Sequence, residues 1–215
     1  MHIHSGFRAT ATPAPRAEGV GQLLDAMQPA AVTLYAPDAV IYAQGDKAGP
    51  LYFVEFGTVR ICRLTADGRR QISAFHIAGE VFGFEAGAEH DSYAESVDGA
   101  GIRVLRPACG EVPAHTLLTL ALQNLTRTQH HLLVLGRRTA NERMAALLVD
   151  LNERQGGEGL VHLAMQRNDI ADYLGVTFET VSRILRALKD QGLIRLKSVS
   201  EVELLDADAL AGMCE

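Results

Sequence analysis

The chain has 215 residues, 47% of them apolar and 21% charged, with a formal net charge of −6. That balance excludes a disordered or fibrous protein, and the length allows one large or two small cores. The net negative charge argues against a protein that coats nucleic acid without regard to sequence.

No apolar run approaches the roughly 20 residues needed to span a bilayer. The N-terminal "MHIHSGFRATATPAPRAEGV" has no apolar stretch of the kind a secretory signal needs. A flexible tail over residues 1–20 and a cytoplasmic location are therefore expected. Cys62, Cys109 and Cys214 are far apart and lack CxxC spacing, which disfavours both a disulfide framework and a metal cluster.

Residues from about 30 to 106 read as short strands. "AVTLYA", "AVIYAQ", "LYFVEFGTVRICRL" and "RQISAFHI" carry β-branched and aromatic residues, partly alternating, with Gly, Pro and Asp between them. Asp67-Gly68 and Gly45-Asp46 are turn signals. Many short strands with frequent turns predict a small antiparallel barrel or roll.

From Ala114 the period changes to helical. Ala114, Leu118, Ala121, Leu125, Thr128, Leu132 and Leu135 follow spacings of four and three, a coiled-coil seam with Leu118, Leu125 and Leu132 at equivalent positions. The seam predicts pairing with a second copy of the chain; the alternative is a helix packed on its own barrel. A second helix is expected at about 141–153, and "RQGGEG" breaks the chain after it.

Two further helices follow, at about 167–174 and 177–191, joined by Gly175-Val176, with Gly192 ending the second. Thr177 suits an N-cap, whereas Thr180 stands where a capping box would want Glu or Gln. Ile194, Leu196, Val202 and Leu204 alternate around a polar turn and predict a hairpin. Two helices on a tight turn with a hairpin behind them have the proportions of a winged helix-turn-helix.

The second of these helices buries Val181, Leu185 and Leu188 on one face and leaves Glu179, Ser182, Arg183 and Arg186 on the other. Arg can donate two hydrogen bonds to guanine, and Glu can accept from cytosine. An intrahelical Glu179–Arg183 pair worth a few tenths of a kcal/mol is the bland alternative. Between Gln166 and Lys197 the basic residues, Arg167 among them, outnumber the acidic ones, although the whole chain is acidic. Double-stranded DNA is the partner these features indicate.

Three motifs together resemble the Crp/Fnr family of transcription regulators. They are "GDKAGPLYFVEFGTVRI", "ERMAALLVDL" and "RNDIADYLGVTFETVSRIL". The resemblance implies an α+β fold. An N-terminal antiparallel β-roll like a cyclic-nucleotide-binding domain would occupy residues 21–112, a long dimerisation helix 113–138, and a winged helix-turn-helix 139–215. Phe178 to Arg183 resemble the Fnr/FixK branch more than the cyclic-AMP receptor protein, which has Gly in place of Ser182 and Arg in place of Phe178. That implies a TTGAT-N4-ATCAA type palindrome, with Arg183 on guanine, Glu179 on the cytosine of the partner strand and Phe178 against a thymine methyl. Thr177, Thr180, Ser182, Arg186 and Arg167 complete the expected DNA surface. Leu118, Ala121, Leu125, Thr128, Leu132 and Leu135 form the expected dimer seam, and RNA polymerase is the further partner that the family implies.

Where the family's nucleotide-binding members have a ribose-binding Glu, this chain has Phe84, and Ser92-Tyr93-Ala94 replace an Arg-Ser/Thr-Ala segment. From Gln71 to Ile102 there is no Lys or Arg, while Glu80, Glu85, Glu89, Asp91, Glu95 and Asp98 are acidic. A bound phosphate needs compensating charge or backbone donors, so no cyclic nucleotide is expected. No Cys precedes Cys62, which disfavours the iron–sulfur cluster of Fnr proteins. The pattern left is FixK-like, with no cofactor and no metal. It implies an activator of genes for low-oxygen respiration, nitrogen fixation or denitrification.

Two alternatives stand beside this reading. One is a sensor of haem or a small metabolite, with His76 or His90 as candidate ligands; His130-His131 lie in the long helix, and His2 and His4 in the tail. The other is a cupin-type metalloenzyme, for which the convergent His and carboxylate set is not evident. Enzyme activity is not expected.

Overall fold

The computed structural model describes residues 19–26, 31–65, 68–106 and 114–214. Nearly all of the stretch read as a tail, with His2 and His4, lies outside the described residues, as do Asp67 and Cys109.

The N-terminal half runs α1 (Val20–Ala26), β1 (Val32–Tyr35), β2 (Val40–Tyr42), β3 (Leu51–Phe56), β4 (Thr58–Leu64), β5 (Arg70–Ile77), β6 (Val81–Phe82), β7 (Tyr93–Ser96) and β8 (Ala100–Leu105). The strands form two antiparallel four-stranded sheets, β1-β8-β3-β6 and β2-β7-β4-β5. Alternation carries their apolar residues inward, so that Tyr42, Tyr52, Val54, Val59, Phe82, Ala94, Ala100 and Ile102 make one cluster between the sheets. Between β3 and β4 the chain turns through Gly57 at φ +83°, where a Cβ would stand 2.1 Å from the Gly99 carbonyl oxygen. Only glycine fits that close approach.

The long helix α2 (Ala114–Leu135) packs on α1 and the roll through Leu120, which joins Val20, Leu23, Leu51, Phe53, Val81 and Leu105 in a second cluster. Asn124 ties it to β6 by donating to the Val81 carbonyl at 3.2 Å. The helix ends at Leu135, and a turn leads into α3 (Ala140–Arg154), whose N-cap Thr139 accepts from the Glu142 amide at 3.2 Å.

The C-terminal half continues with β9 (Leu160–His162), α4 (Arg167–Leu174), α5 (Phe178–Asp190), β10 (Ile194–Leu196), β11 (Glu201–Leu204) and α6 (Ala207–Gly212). The hairpin predicted as a two-stranded wing is part of a three-stranded sheet, β10-β11-β9. Val161 faces Val202 across the added pair, and both are fully buried. The third strand closes an apolar underside that two strands would leave wet.

One apolar cluster crosses from the roll to the helices: Cys62, Ile72, Phe75 and Val97 pack with Met144, Leu148, Ile170, Leu174, Val181, Leu185 and Leu188. Shared burial on this scale holds the two halves together. Among the described residues, no helix is long and apolar enough to cross a membrane.

Candidate nucleic-acid interface

Helices α4 and α5 meet at Gly175, which adopts the left-handed conformation at φ 63°, ψ 42° and ends α4. The Val176 amide returns to the Ala171 carbonyl at 3.0 Å, closing the turn. Thr177 then caps α5, its hydroxyl accepting from the Thr180 amide at 3.3 Å. Thr180, in place of a capping-box acid, pairs its own hydroxyl with that of Thr177 at 3.0 Å. Val181, Ile184, Leu185 and Leu188 are buried and anchor one face of α5 in the core.

The opposite face is open. Phe178 is 47% exposed, and Glu179, Ser182, Arg183 and Arg186 are exposed with it. Glu179 and Arg183 form no ion pair. Arg183 Nη2 instead donates to the Thr180 hydroxyl at 3.2 Å. The Glu179 carboxyl is held below its ordinary range by its own backbone amide first, then by the Thr177 hydroxyl and the charge of Arg183, so it is an ionised acceptor at neutral pH. One helical turn therefore presents a cationic fork, a carboxylate acceptor, a hydroxyl and an aromatic ring, a set that matches the edges of base pairs in a major groove.

Arg167 behaves differently from the other expected contacts. It is half-buried at the start of α4, and its Nη2 donates to the Val199 carbonyl at 3.2 Å. Its side chain braces the turn between β10 and β11, where Val199 is 86% exposed.

Local charge is more favourable than a count along the sequence indicates. Asp169 and Asp172, which reduce the positive balance of this segment, are turned away from α5 onto the roll. Asp169 pairs with Arg60, and both acids pair with Arg70.

On α2, Leu118, Leu125 and Leu132 are 59%, 51% and 63% exposed, so they do not pack on the roll of their own chain. Ala121 and Leu135 are half-buried and Thr128 is exposed. A Cβ at Gly175 would come within 3.9 Å of Leu135, so the end of the seam lies beside the helix-turn-helix of its own chain.

Between the roll and helices α2 and α3 lies a cavity of about 470 Å³, lined among others by Tyr42, His76, Glu85, Ser92, Arg127 and Arg154. The segment from Gln71 to Ile102 has no cation of its own, but the turn between α2 and α3 contributes Arg137 to the lining and the two helices deliver two further cations. Both are engaged with Glu80, Arg127 at 3.2 Å and Arg154 at 3.0 Å. Burial by itself would raise the Glu80 carboxyl, and Arg154, His76 and Arg127 outweigh it and hold the group down to about 2. Phe84 packs against the apolar cluster of α1, α2 and β3. The His90 ring stacks on Tyr42 at 3.6 Å, with Nδ1 3.2 Å from Glu85. Its Nε2 is buried without a hydrogen-bond partner. Among the described residues, no group of three or more His, Cys, Asp or Glu could hold a metal ion.

Comparison with known proteins agrees with this architecture. Residues 142–213 match the Crp-like helix-turn-helix domain, and residues 32–98 match the cyclic nucleotide-binding domain. The chain is 47% identical over 186 residues to the nitrogen fixation regulation protein FixK of Rhizobium meliloti, covering 86% of this chain and 88% of that one. It is 43% identical to the protein of the same name from Azorhizobium caulinodans, over 82% and 76% of the two chains. The solved structure of FixK2 from Bradyrhizobium japonicum superposes with a TM-score of 0.80 at 37% identity, covering 86% of this chain and 98% of that one.

Proposed function

This chain belongs to the Crp/Fnr family of DNA-binding transcription regulators, in its FixK-like branch, and from that premise we propose that it is a homodimeric activator reading a TTGAT-N4-ATCAA type palindrome without cyclic nucleotide. Its targets are genes of nitrogen fixation, low-oxygen respiration or denitrification, and RNA polymerase is its partner at the promoter. The observation that carries this reading is the free polar face of α5. Arg183 and Glu179 are exposed and unpaired with each other, on a helix whose other face is locked in the core. Arg183 reads guanine, Glu179 reads cytosine on the partner strand, and Phe178 contacts a thymine methyl. Ser182, Thr177, Thr180 and Arg186 flank them on sugar and phosphate. Arg167 supports the wing from its half-buried position at the start of α4.

The two-fold partner is a second copy meeting at Leu118, Ala121, Leu125, Thr128, Leu132 and Leu135. The division into a roll (21–112), a dimerisation helix (113–138) and a DNA-binding unit (139–215) follows from these roles. Independence from cyclic nucleotide is supported by Phe84 lying in an apolar cluster and by Arg127 and Arg154 being engaged with Glu80.

The test is selection of sites from randomised duplex DNA by the purified protein without cyclic AMP. A TTGA-type palindrome, bound by a dimer and weakened steeply by salt, is the expected product. Enrichment of an unrelated sequence, or a requirement for cyclic AMP, overturns the proposal. Leu125→Glu should yield a folded monomer in sedimentation that no longer binds the full palindrome.

A second reading, a small-metabolite sensor, is favoured by the cavity of about 470 Å³ beside α2. It predicts that DNA affinity changes when a cell extract's small-molecule fraction is added.

A further inference from the structure

Asp169 lies in the first turn of α4, yet its side chain is only 4% exposed because it is inserted between two arginines of the roll. Arg60 on β4 donates from Nη1 to Asp169 Oδ2 at 3.1 Å, from Nε to Glu95 at 2.7 Å, and from Nη2 to Asp38 at 2.8 Å. Arg70 on β5 donates from Nη2 to Asp169 Oδ1, and from Nε to Asp172 at 3.0 Å. Asp38 holds its place at φ 61°, a left-handed conformation unusual for a residue other than glycine. One carboxylate of the helix-turn-helix is thus shared by two guanidinium groups of the roll, with Asp172 one turn further along as a second anchor.

Apolar contact between the halves is non-directional and tolerates small rotations. Charge-assisted hydrogen bonds to a planar guanidinium do not. The stack of His131 on Tyr173, at 3.8 Å and 3° with Nε2 2.9 Å from the Tyr173 carbonyl, holds the far end of α4 against α2. Arg143 on α3 donates to the Leu174 carbonyl at 3.1 Å. Helix α4 is clamped along its length, whereas the DNA face of α5 stays exposed. The clamp therefore acts on the orientation of α5 and not on its exposure.

We propose that Arg60 and Arg70 are positioning residues for DNA recognition, fixing the orientation of α5 through Asp169 and Asp172 so that no effector is needed to set it. The inference rests on the reading that α5 binds the palindrome.

The experiment uses the half-exposed pair Arg70 and Asp172, 27% and 33% exposed, in the full-length dimer. Arg70→Asp and Asp172→Arg are compared singly and together, with Asp172→Asn as a milder variant should either reversal fold poorly. Each single reversal should weaken palindrome binding about tenfold or more, the size of an ordinary coupling between two sites. The double swap should return to within about threefold of the parent, since the guanidinium moved onto α4 would face both the carboxylate moved onto β5 and that of Asp169. Amide exchange over residues 136–139, between α2 and α3, should rise in the singles and fall back in the double. Singles that bind as well as the parent, singles that bind more tightly, or a double that recovers nothing each overturn the positioning role. A parent that ignores the palindrome overturns the DNA reading instead, and amide exchange between α2 and α3 still decides whether Arg70 and Asp172 hold α4 on the roll.

Discussion

Helices α4 and α5 each carry a set of charges, and the two sets lead opposite lives. On α4, Asp169 and Asp172 are saturated by arginines of the roll. On α5, Glu179 and Arg183 stand exposed, one turn apart, without pairing. Both sets are ionisable side chains on neighbouring helices of one motif. What separates structural charge from recognition charge is whether the protein itself supplies the partner, because a buried charge must be paired whereas an exposed one can wait for a ligand.

The sharpest way to break this comparison is to remove a buried acid. Glu80 bridges Arg127 and Arg154, so Glu80→Ala takes that carboxylate from Arg127 and leaves Arg154 with Asp150 and the Phe75 carbonyl, and should cost about 3 kcal/mol of stability in chemical denaturation. Acid should act on the same interior set. Burial lowers His76 and His131 from 6.5, so the unfolded chain takes up their protons first and stability falls as the pH drops through that value. Glu80 is lowered from 4.5 to about 2, so its contribution is present above pH 4.5 and disappears on descent towards pH 2. A melting temperature independent of pH between 7 and 3 would contradict both assignments.

The exposed set should respond in the other observable. Arg183→Ala should lose about 1–3 kcal/mol of DNA binding and blur the preference for guanine at one position. Its unfolding free energy should stay within about 0.5 kcal/mol of the parent. An Arg183→Ala protein that binds the palindrome like the parent removes that residue from the reading head. The smallest expected change is Asp206→Ala, which removes the side chain that accepts from the Ala209 amide at the start of α6 and should cost about 1 kcal/mol of stability. That loss would be read in denaturant, while binding measured well below the transition changes little.

Much of this was legible along the chain. The first five strands stand out by composition. The helices α3, α4 and α5 fall within one or two residues of their expected ends, because helix period, the Gly175 turn and the Thr177 cap are local features. Strands β6 and β9 are two and three residues long and exist only by pairing with distant partners. Strand β8 opens on Ala100-Gly101 and carries Arg103, a weak signal by itself. Helices α1 and α6, at seven and six residues, are too short to declare themselves by period.

The sequence by itself determined the family, the fold class, the helix-turn-helix and the outward face of α5, because each depends on residues within a few turns of one another. Only the tertiary structure decided what the remaining charges do. Arg70 and Asp172 are 102 positions apart, and Arg154 and Glu80 are 74 apart. Nothing local distinguishes Asp169 from a solvated helix acid or Arg127 from a surface arginine. Their partners are chosen when the roll, α2 and α3 close around shared apolar surface, which brings the charges out of water and obliges them to pair.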